Sequence, residues 1–259
     1  FPKCSESEHD CFETGHASTA ISAAVGLARA RDLAGRKNNV VALVGDGALT
    51  GGMCYEALND CGNSKTRLIV VLNDNQMSIA RNVGALSNHF AELRASARWN
   101  LTKKTVKHSL LRIPLIGPPL ERFLHSMKKS LRTLLMDEGF FTALGFKYLG
   151  PIDGHDLHAM EKIFNRAKEL EGPGIIHCCT KKGNGYRKAE KSPERFHGTP
   201  PFFIESGEAQ KRSHRLYGQV AADELVSLAR KDERIVAVTA AMPLGTAANR
   251  FKAQYKKRF

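Results

Sequence analysis

Two apolar runs, Val40–Val44 and Leu68–Leu72, constrain this chain most, because each breaks off abruptly into glycine, aspartate and asparagine. Both are strand-length and rich in Val, Ile and Leu, as expected of strands buried on two faces of a parallel sheet. The first runs into Gly45-Asp46-Gly47-Ala48-Leu49-Thr50-Gly51-Gly52, and the second into Asn73-Asp74-Asn75. Met53 to Asn59, between them, resumes a helical pattern. The order is strand, polar loop, helix, strand, polar loop. In open α/β sheets ligands bind at the carboxyl ends of the strands, where both polar clusters fall.

The rest of the chain continues this alternation. Thr19 to Leu33 carries Ile21, Val25 and Leu27 among alanines and is followed by Gly35, a helix with a glycine stop. Phe146–Gly150 reads as a short strand, His158–Leu170 as a helix and Ile175–Cys179 as another buried strand. Between them, Leu120, Phe123, Leu124, Met127, Leu131 and Leu134 mark an amphipathic helix from about 120 to 135 inside a basic insertion at about 100–138. That helix packs on the protein surface or serves as a basic membrane- or partner-binding helix. Pro193 to Gly207 reads as an interdomain linker, Tyr217–Arg230 as a helix and Ile235–Thr239 as a strand. The predicted fold class is α/β, a mostly parallel sheet with helices on both faces, plus the start of a second α/β domain. The predicted boundaries are 1–192, a linker at 193–214, and an incomplete domain at 215–259.

Composition narrows the class. With 259 residues and 42% hydrophobic composition the chain can bury a sizeable core, which excludes a small disulfide-stapled or a disordered protein. No run of eighteen or more apolar residues occurs, so no membrane span is expected. The six cysteines form no CxxC pair and no zinc-type Cys/His spacing, which suits reduced thiols in a cytoplasmic protein. The start has no initiator Met and neither a signal core nor a transit pattern, and reads as an internal point of a longer protein. The net charge of +13 attracts phosphates, nucleic acid included, through Arg112–Arg132 and Lys256-Lys257-Arg258. Aromatic interleaving and a recognisable nucleic-acid fold are both missing, so no nucleic acid is expected; a missing acidic half would explain the charge equally well.

The ligand at Gly45-Asp46-Gly47 is narrowed by elimination. A dinucleotide fingerprint needs a third glycine where Thr50 stands, and no phosphate-loop motif occurs. A magnesium diphosphate site remains: a small hard cation takes one or two protein oxygens and completes its shell with phosphate and water. Asp46 would supply the carboxylate and Asn75, at the end of the neighbouring strand, a neutral carbonyl oxygen. The alternative left open by these residues alone is that Asp46 is a turn residue and Asn75 a cap.

Longer strings resemble a known family. Ser5-Glu6-Ser7-Glu8-His9-Asp10, Thr14-Gly15-His16-Ala17-Ser18-Thr19, Gly45 to Met53, Leu72 to Ile79, Asn82 to Ser87, Gly150-Pro151-Ile152-Asp153-Gly154-His155-Asp156 and Thr180 to Tyr186 are similar, in order, to the deoxyxylulose-phosphate synthases. These are thiamine-diphosphate enzymes of the transketolase-like superfamily. The resemblance implies thiamine diphosphate and Mg2+ as cofactors, with Asp46, Asn75 and the main-chain carbonyl of Met77 as metal ligands. It implies Gly47 and Ala48 against the diphosphate, Asn75 touching both metal and phosphate, and Gly15, His16 and Ala17 lining the cofactor and substrate pocket, His16 as a catalytic proton-exchanging group. Lys182 and Tyr186 match a loop that closes over the cofactor. Cys4, Ala17 and Ala20 depart from the pattern, and Asp153, His155 and Asp156 either belong to the site or simply fix a turn.

The implied activity is condensation of pyruvate with glyceraldehyde 3-phosphate, with loss of CO2, in isoprenoid precursor synthesis, by a cytoplasmic protein acting as a homodimer or with a companion chain. On this resemblance 1–192 is the diphosphate-binding domain and 215–259 the beginning of the pyrimidine-binding domain. An upstream histidine-bearing segment, a glutamate expected soon after Phe259 and downstream phosphate-gripping arginines are not in this sequence, so the chain alone is expected to be inactive or nearly so. The competing reading is a noncatalytic relative that binds the cofactor or assembles with a synthase. Transketolase and pyruvate dehydrogenase are further off, because Asn82 to Ser87 and Ala240 to Pro243 resemble the synthase.

Overall fold

The computed structural model describes residues 2–77, 88, 91, 139–210, 214–240 and 242–259. The amphipathic helix predicted at 120–135, with the insertion around it, lies outside the described residues. The chain divides into two compact units, one holding residues 2–76 and 139–180, the other residue 77 and 181–259.

The first unit is built on a four-stranded, all-parallel sheet in the order β1-β2-β4-β3. Helix α1 (Ala20–Leu33) precedes β1 (Val41–Gly45); a short turn of helix, α2 (Asp46–Leu49), and α3 (Gly52–Ser64) lead to β2 (Ile69–Asp74). The next elements are α4 (Gly139–Ala143), β3 (Lys147–Asp153), α5 (Leu157–Lys168) and β4 (Gly174–Cys179). The predicted glycine stop of α1 is observed: the chain leaves the helix through Gly35 at φ +63°, a conformation that costs a side chain but not glycine.

Side chains of β2 and β4 alternate between two cores, as a period of two requires. The edge strand β1 buries one face only: Val41 and Leu43 are 49% and 67% exposed, which corrects the expectation that Val40–Val44 is covered on both faces. Ala42, Val44, Val70, Leu72, Tyr148 and Ile175 pack under α1 and α3 with Ile21, Val25 and Leu58. Ile69, Val71, Leu149, Ile176 and Cys178 pack on the other face with Ile163 and Phe164 of α5. Each fully buried Leu or Ile contributes about 1.5–3 kcal/mol of transfer free energy, and helices on both faces are what exclude water from β2 and β4. Two strands run longer than predicted. β2 continues through Asn73 and Asp74 because β4 still pairs with them, Asn73 beside Cys178 and Asp74 beside Cys179. β3 reaches Asp153 across a register shift between Leu149 and Ile152, where Pro151 has no N–H to donate.

The second unit holds α6 (Arg187–Lys191), α7 (Tyr217–Lys231), α8 (Asn249–Gln254) and a 3-10 turn at Lys256–Arg258. Its core joins Val226, Ala229 and Phe251 with Ile235, Ala237, Tyr255 and Phe259. Here one expectation is corrected: Ile235–Thr239 forms no strand ladder among the described residues. The alternation is present, with Ile235 and Ala237 packed inward and Val236 and Val238 62% and 94% exposed. What it lacks is a neighbouring strand among the described residues, and apart from the Ala237 N–H, which donates to the Arg258 carbonyl at 2.9 Å, the ladder that defines a strand has no partner there. Arg258 is held internally, its guanidinium donating to the carbonyls of Ala229, Asp232 and Ile235 and lying 4.0 Å from the Tyr255 ring centre. In the stretch 193–207, Phe196 and Phe202 pack with Tyr186 at ring separations of 5.5 and 6.1 Å.

Candidate functional site

The parallel register brings the carboxyl ends of β1, β2 and β4 level. Gly45 pairs with Asn73, and Asn73 with Cys178, so the turn after β1 and the ends of β2 and β4 meet at one corner of the sheet. Asp46 opens α2 there and is almost fully enclosed. Burial, and then the charge of Asp74, push the Asp46 carboxyl up to about 6, while the N–H groups of Gly47 and Gln76 pull it back. Two carboxylates in one buried corner are a poor arrangement for stability unless something positive answers them.

Asp74 follows Leu72 on the face of β2 that covers the first core, and His177 follows Ile175 on the same face of β4. His177 Nε2 stands 2.9 Å from Asp74 Oδ2, and Tyr148 Oη 2.7 Å from His177 Nδ1. The Gln76 N–H, at the left-handed φ of +66°, donates to Asp74 Oδ1 at 3.2 Å. On the opposite face the Thr180 hydroxyl donates to Asn73 Oδ1 at 2.6 Å, and the Thr180 N–H to the Asp74 carbonyl at 2.9 Å, tying β2 to the exit of β4. Asn75 is half-buried between Asp74 and Gln76, the two residues whose groups act on the Asp46 carboxyl from β2 and its exit.

The predicted Gly15-His16-Ala17 turn is exposed and leads into α1. Ser18, at φ +69°, donates from its hydroxyl to the Ala48 carbonyl at 2.6 Å and so ties this turn to the Gly47-Ala48 segment. Met77, Lys182 and Tyr186 belong to the second unit. There the Tyr186 hydroxyl donates to the Ile204 carbonyl at 2.6 Å, and the Lys182 charge, after burial, helps hold the His197 imidazole below its ordinary pKa. Asp153 and Asp156 fix the turn: Asp153 accepts the His155 N–H at 2.9 Å, and Asp156 caps α5 by accepting from His158 and Ala159 at 3.0 Å. All six cysteines are reduced thiols, and burial raises Cys61 and Cys178 to about 11.

Ser18, Asp74, Tyr148 and His177 were not singled out by sequence reasoning. One signal was available: a histidine inside an otherwise apolar strand, Gly174-Ile175-Ile176-His177-Cys178-Cys179, needs a buried partner.

A parallel sheet covered by helices, with polar residues gathered at its carboxyl edge around a buried carboxylate pair, defines an α/β protein. The family model described as 1-deoxy-D-xylulose-5-phosphate synthase matches residues 1–180. The chain belongs to the 1-deoxy-D-xylulose-5-phosphate synthase family. It is 50% identical over 259 residues to the Clostridium kluyveri synthase, covering 100% of this chain and 42% of that relative. The Desulfitobacterium hafniense synthase is 50% identical over 260 residues, 100% of this chain and 41% of its own length. The chain thus spans about two fifths of the length of the curated relatives it matches. A transketolase from Leishmania mexicana superposes with a TM-score of 0.38 at 22% identity, over 64% of this chain and 20% of its own, too slight a likeness to bear on fold or function.

Proposed function

We propose that this chain is the cofactor-anchoring part of a 1-deoxy-D-xylulose-5-phosphate synthase, a transferase that condenses pyruvate with glyceraldehyde 3-phosphate with loss of CO2. The observation that carries the reading is the buried carboxylate of Asp46, on the Gly45-Asp46-Gly47 turn, facing that of Asp74 at the end of β2, a corner whose oxygen donors and repelling charges fit Mg2+. When bound, thiamine diphosphate supplies the carbanion chemistry of decarboxylation and carbon–carbon bond formation. The residues of this chain bind and orient. Asp46 and Asn75 hold Mg2+, with the main-chain carbonyl of Met77 as the third ligand, and Gly47 and Ala48 face the diphosphate. Gly15, His16 and Ala17 line the pocket beside them, a role supported by the Ser18–Ala48 bond, and His16 exchanges a proton with substrate. Lys182 and Tyr186 belong to a loop that closes over the cofactor, Lys182 neutralising phosphate charge.

In this reading residues 1–192 are the diphosphate-binding domain and 215–259 the start of the pyrimidine-binding domain. The protein works in the cytoplasm as a homodimer or with a companion chain. None of the described helices is long and apolar enough to cross a membrane. The test is calorimetric titration of thiamine diphosphate with Mg2+ into the chain beside Asp46→Ala. Binding that requires both Mg2+ and Asp46 is expected; binding indifferent to either, or none, overturns the anchoring role and leaves the noncatalytic assembly reading.

A further inference from the structure

Of the buried row Tyr148, His177, Asp74, only Asp74 enters the reading above, as the charge facing Asp46; Tyr148 and His177 have no part in it. Apolar side chains would fill the same space without any need for partners, so three enclosed polar groups on one face of β3, β4 and β2, each two positions further along than the last, call for a use. Where Asp74 is ionised it only accepts, and the matching His177 tautomer carries its proton on Nε2 and donates to Oδ2 at 2.9 Å. Nδ1 is then the acceptor, and takes the Tyr148 hydroxyl proton across 2.7 Å. The row has one direction: every donor points toward Asp74, and Asp74 stands against Asp46. Backbone packing fixes the row in place, since Gly150 runs at φ +126° and a Cβ there would lie 2.7 Å from the His177 carbonyl oxygen.

A metal on the row itself is the rival use. Asp74, His177 and Cys179 each place a donor atom within 4.8 Å of the others. However, two zinc ligands at about 2.0 Å in a tetrahedron stand roughly 3.3 Å apart, whereas Nε2 and Oδ2 are at hydrogen-bond distance, 2.9 Å. A proton, not a metal, fits between them.

We propose that Tyr148 and His177 are positioning residues for divalent-cation binding: they fix the Asp74 carboxylate behind Asp46, so that a second negative charge stands beside the ligand that takes the cation. Groups that orient metal-site carboxylates from behind typically change metal affinity 10–100-fold when removed. The inference rests on the reading of Asp46 as a cation ligand.

The experiment is calorimetric titration of Mg2+ into the full chain in the presence of inorganic pyrophosphate, for the wild type, His177→Gln, Tyr148→Phe and Ile176→Val. Ile176 is buried on the other face of β4, so its variant controls for loosening of the sheet alone. The expected result is a loss of Mg2+ affinity of about 10–100-fold for His177→Gln and a smaller loss for Tyr148→Phe, with Ile176→Val unchanged. Tyr148→Phe keeps the ring stacked on Phe141 and decides the matter if His177→Gln fails to fold. Wild-type affinity in both row variants, or an equal loss in Ile176→Val, overturns the inference alone. Absence of Mg2+-dependent binding by the wild type overturns the reading beneath it, and the inference with it.

Discussion

Asp46 and Asp74 place two carboxylates in one enclosed corner of the sheet, 2% and 1% exposed, each raising the cost of the other's charge. The Asp46 carboxyl is pushed from 3.8 to about 6, by burial first and by Asp74 second. Between those values the folded chain keeps a proton that the unfolded chain has released, so stability falls as pH rises and levels off above about 6. The loss amounts to at most about 3 kcal/mol. Urea midpoints measured from pH 4 to 8 without divalent cation should show Asp46→Asn gaining on the wild type as pH rises, then holding a constant lead. Parallel profiles would remove the physical basis of the site.

Adding Mg2+ should reverse that slope in the wild type only. A cation that binds the ionised pair stabilises the folded state by mass action, more so at higher pH. Melting temperatures taken at pH 5 and pH 8 with and without saturating Mg2+ and pyrophosphate check this, with Asp46→Asn expected to respond at neither pH.

Gly62 lies in α3 where the chain after α4 crosses it, and a Cβ there would come 1.6 Å from the Leu144 carbonyl oxygen. Helix propensity alone favours alanine at this position by up to about 1 kcal/mol. Backbone cannot yield as a side-chain tip would, so Gly62→Ala should instead destabilise by about 2 kcal/mol or more. A stabilised variant in chemical denaturation would contradict the packing described.

Tyr55 buries a hydroxyl that has no hydrogen-bond partner among the described residues, while its ring meets Phe140 edge-on at 6.0 Å. Removing an unsatisfied buried hydroxyl and keeping the ring should be neutral or stabilising by about 1 kcal/mol. Tyr55→Phe is therefore expected to melt no lower than the wild type.

Asp156 ends one of the strings that resemble the family, and in the fold its side chain caps α5. Asp156→Ala should cost about 1 kcal/mol, the ordinary worth of such a cap. Mg2+-dependent pyrophosphate binding should survive the change, and its loss would return Asp156 to the site.

The sequence by itself determined the element pattern of the first unit and the sheet edge at which its polar clusters gather. Val40–Val44 and Leu68–Leu72 read as strands, and each gives way at once to glycine, aspartate or asparagine, so Asp46 and Asn75 stood out as local chemistry, although the sequence did not show that one face of β1 stays exposed. The tertiary structure decided which polar residues join them. Asp74 looked like one more loop residue, and His177 and Tyr148 like members of short apolar strands. Only the parallel registers, Leu72 beside His177 and Tyr148 beside Ile175, put the three on one face within hydrogen-bond reach. Ser18 likewise reaches Ala48, 30 residues on in sequence, only through the fold. The strand expected at Ile235–Thr239 shows the same limit from the other side. Alternation is written in the order of residues, whereas a ladder needs a neighbour, and hydrogen-bond partners between distant segments are set by how the whole sheet pairs.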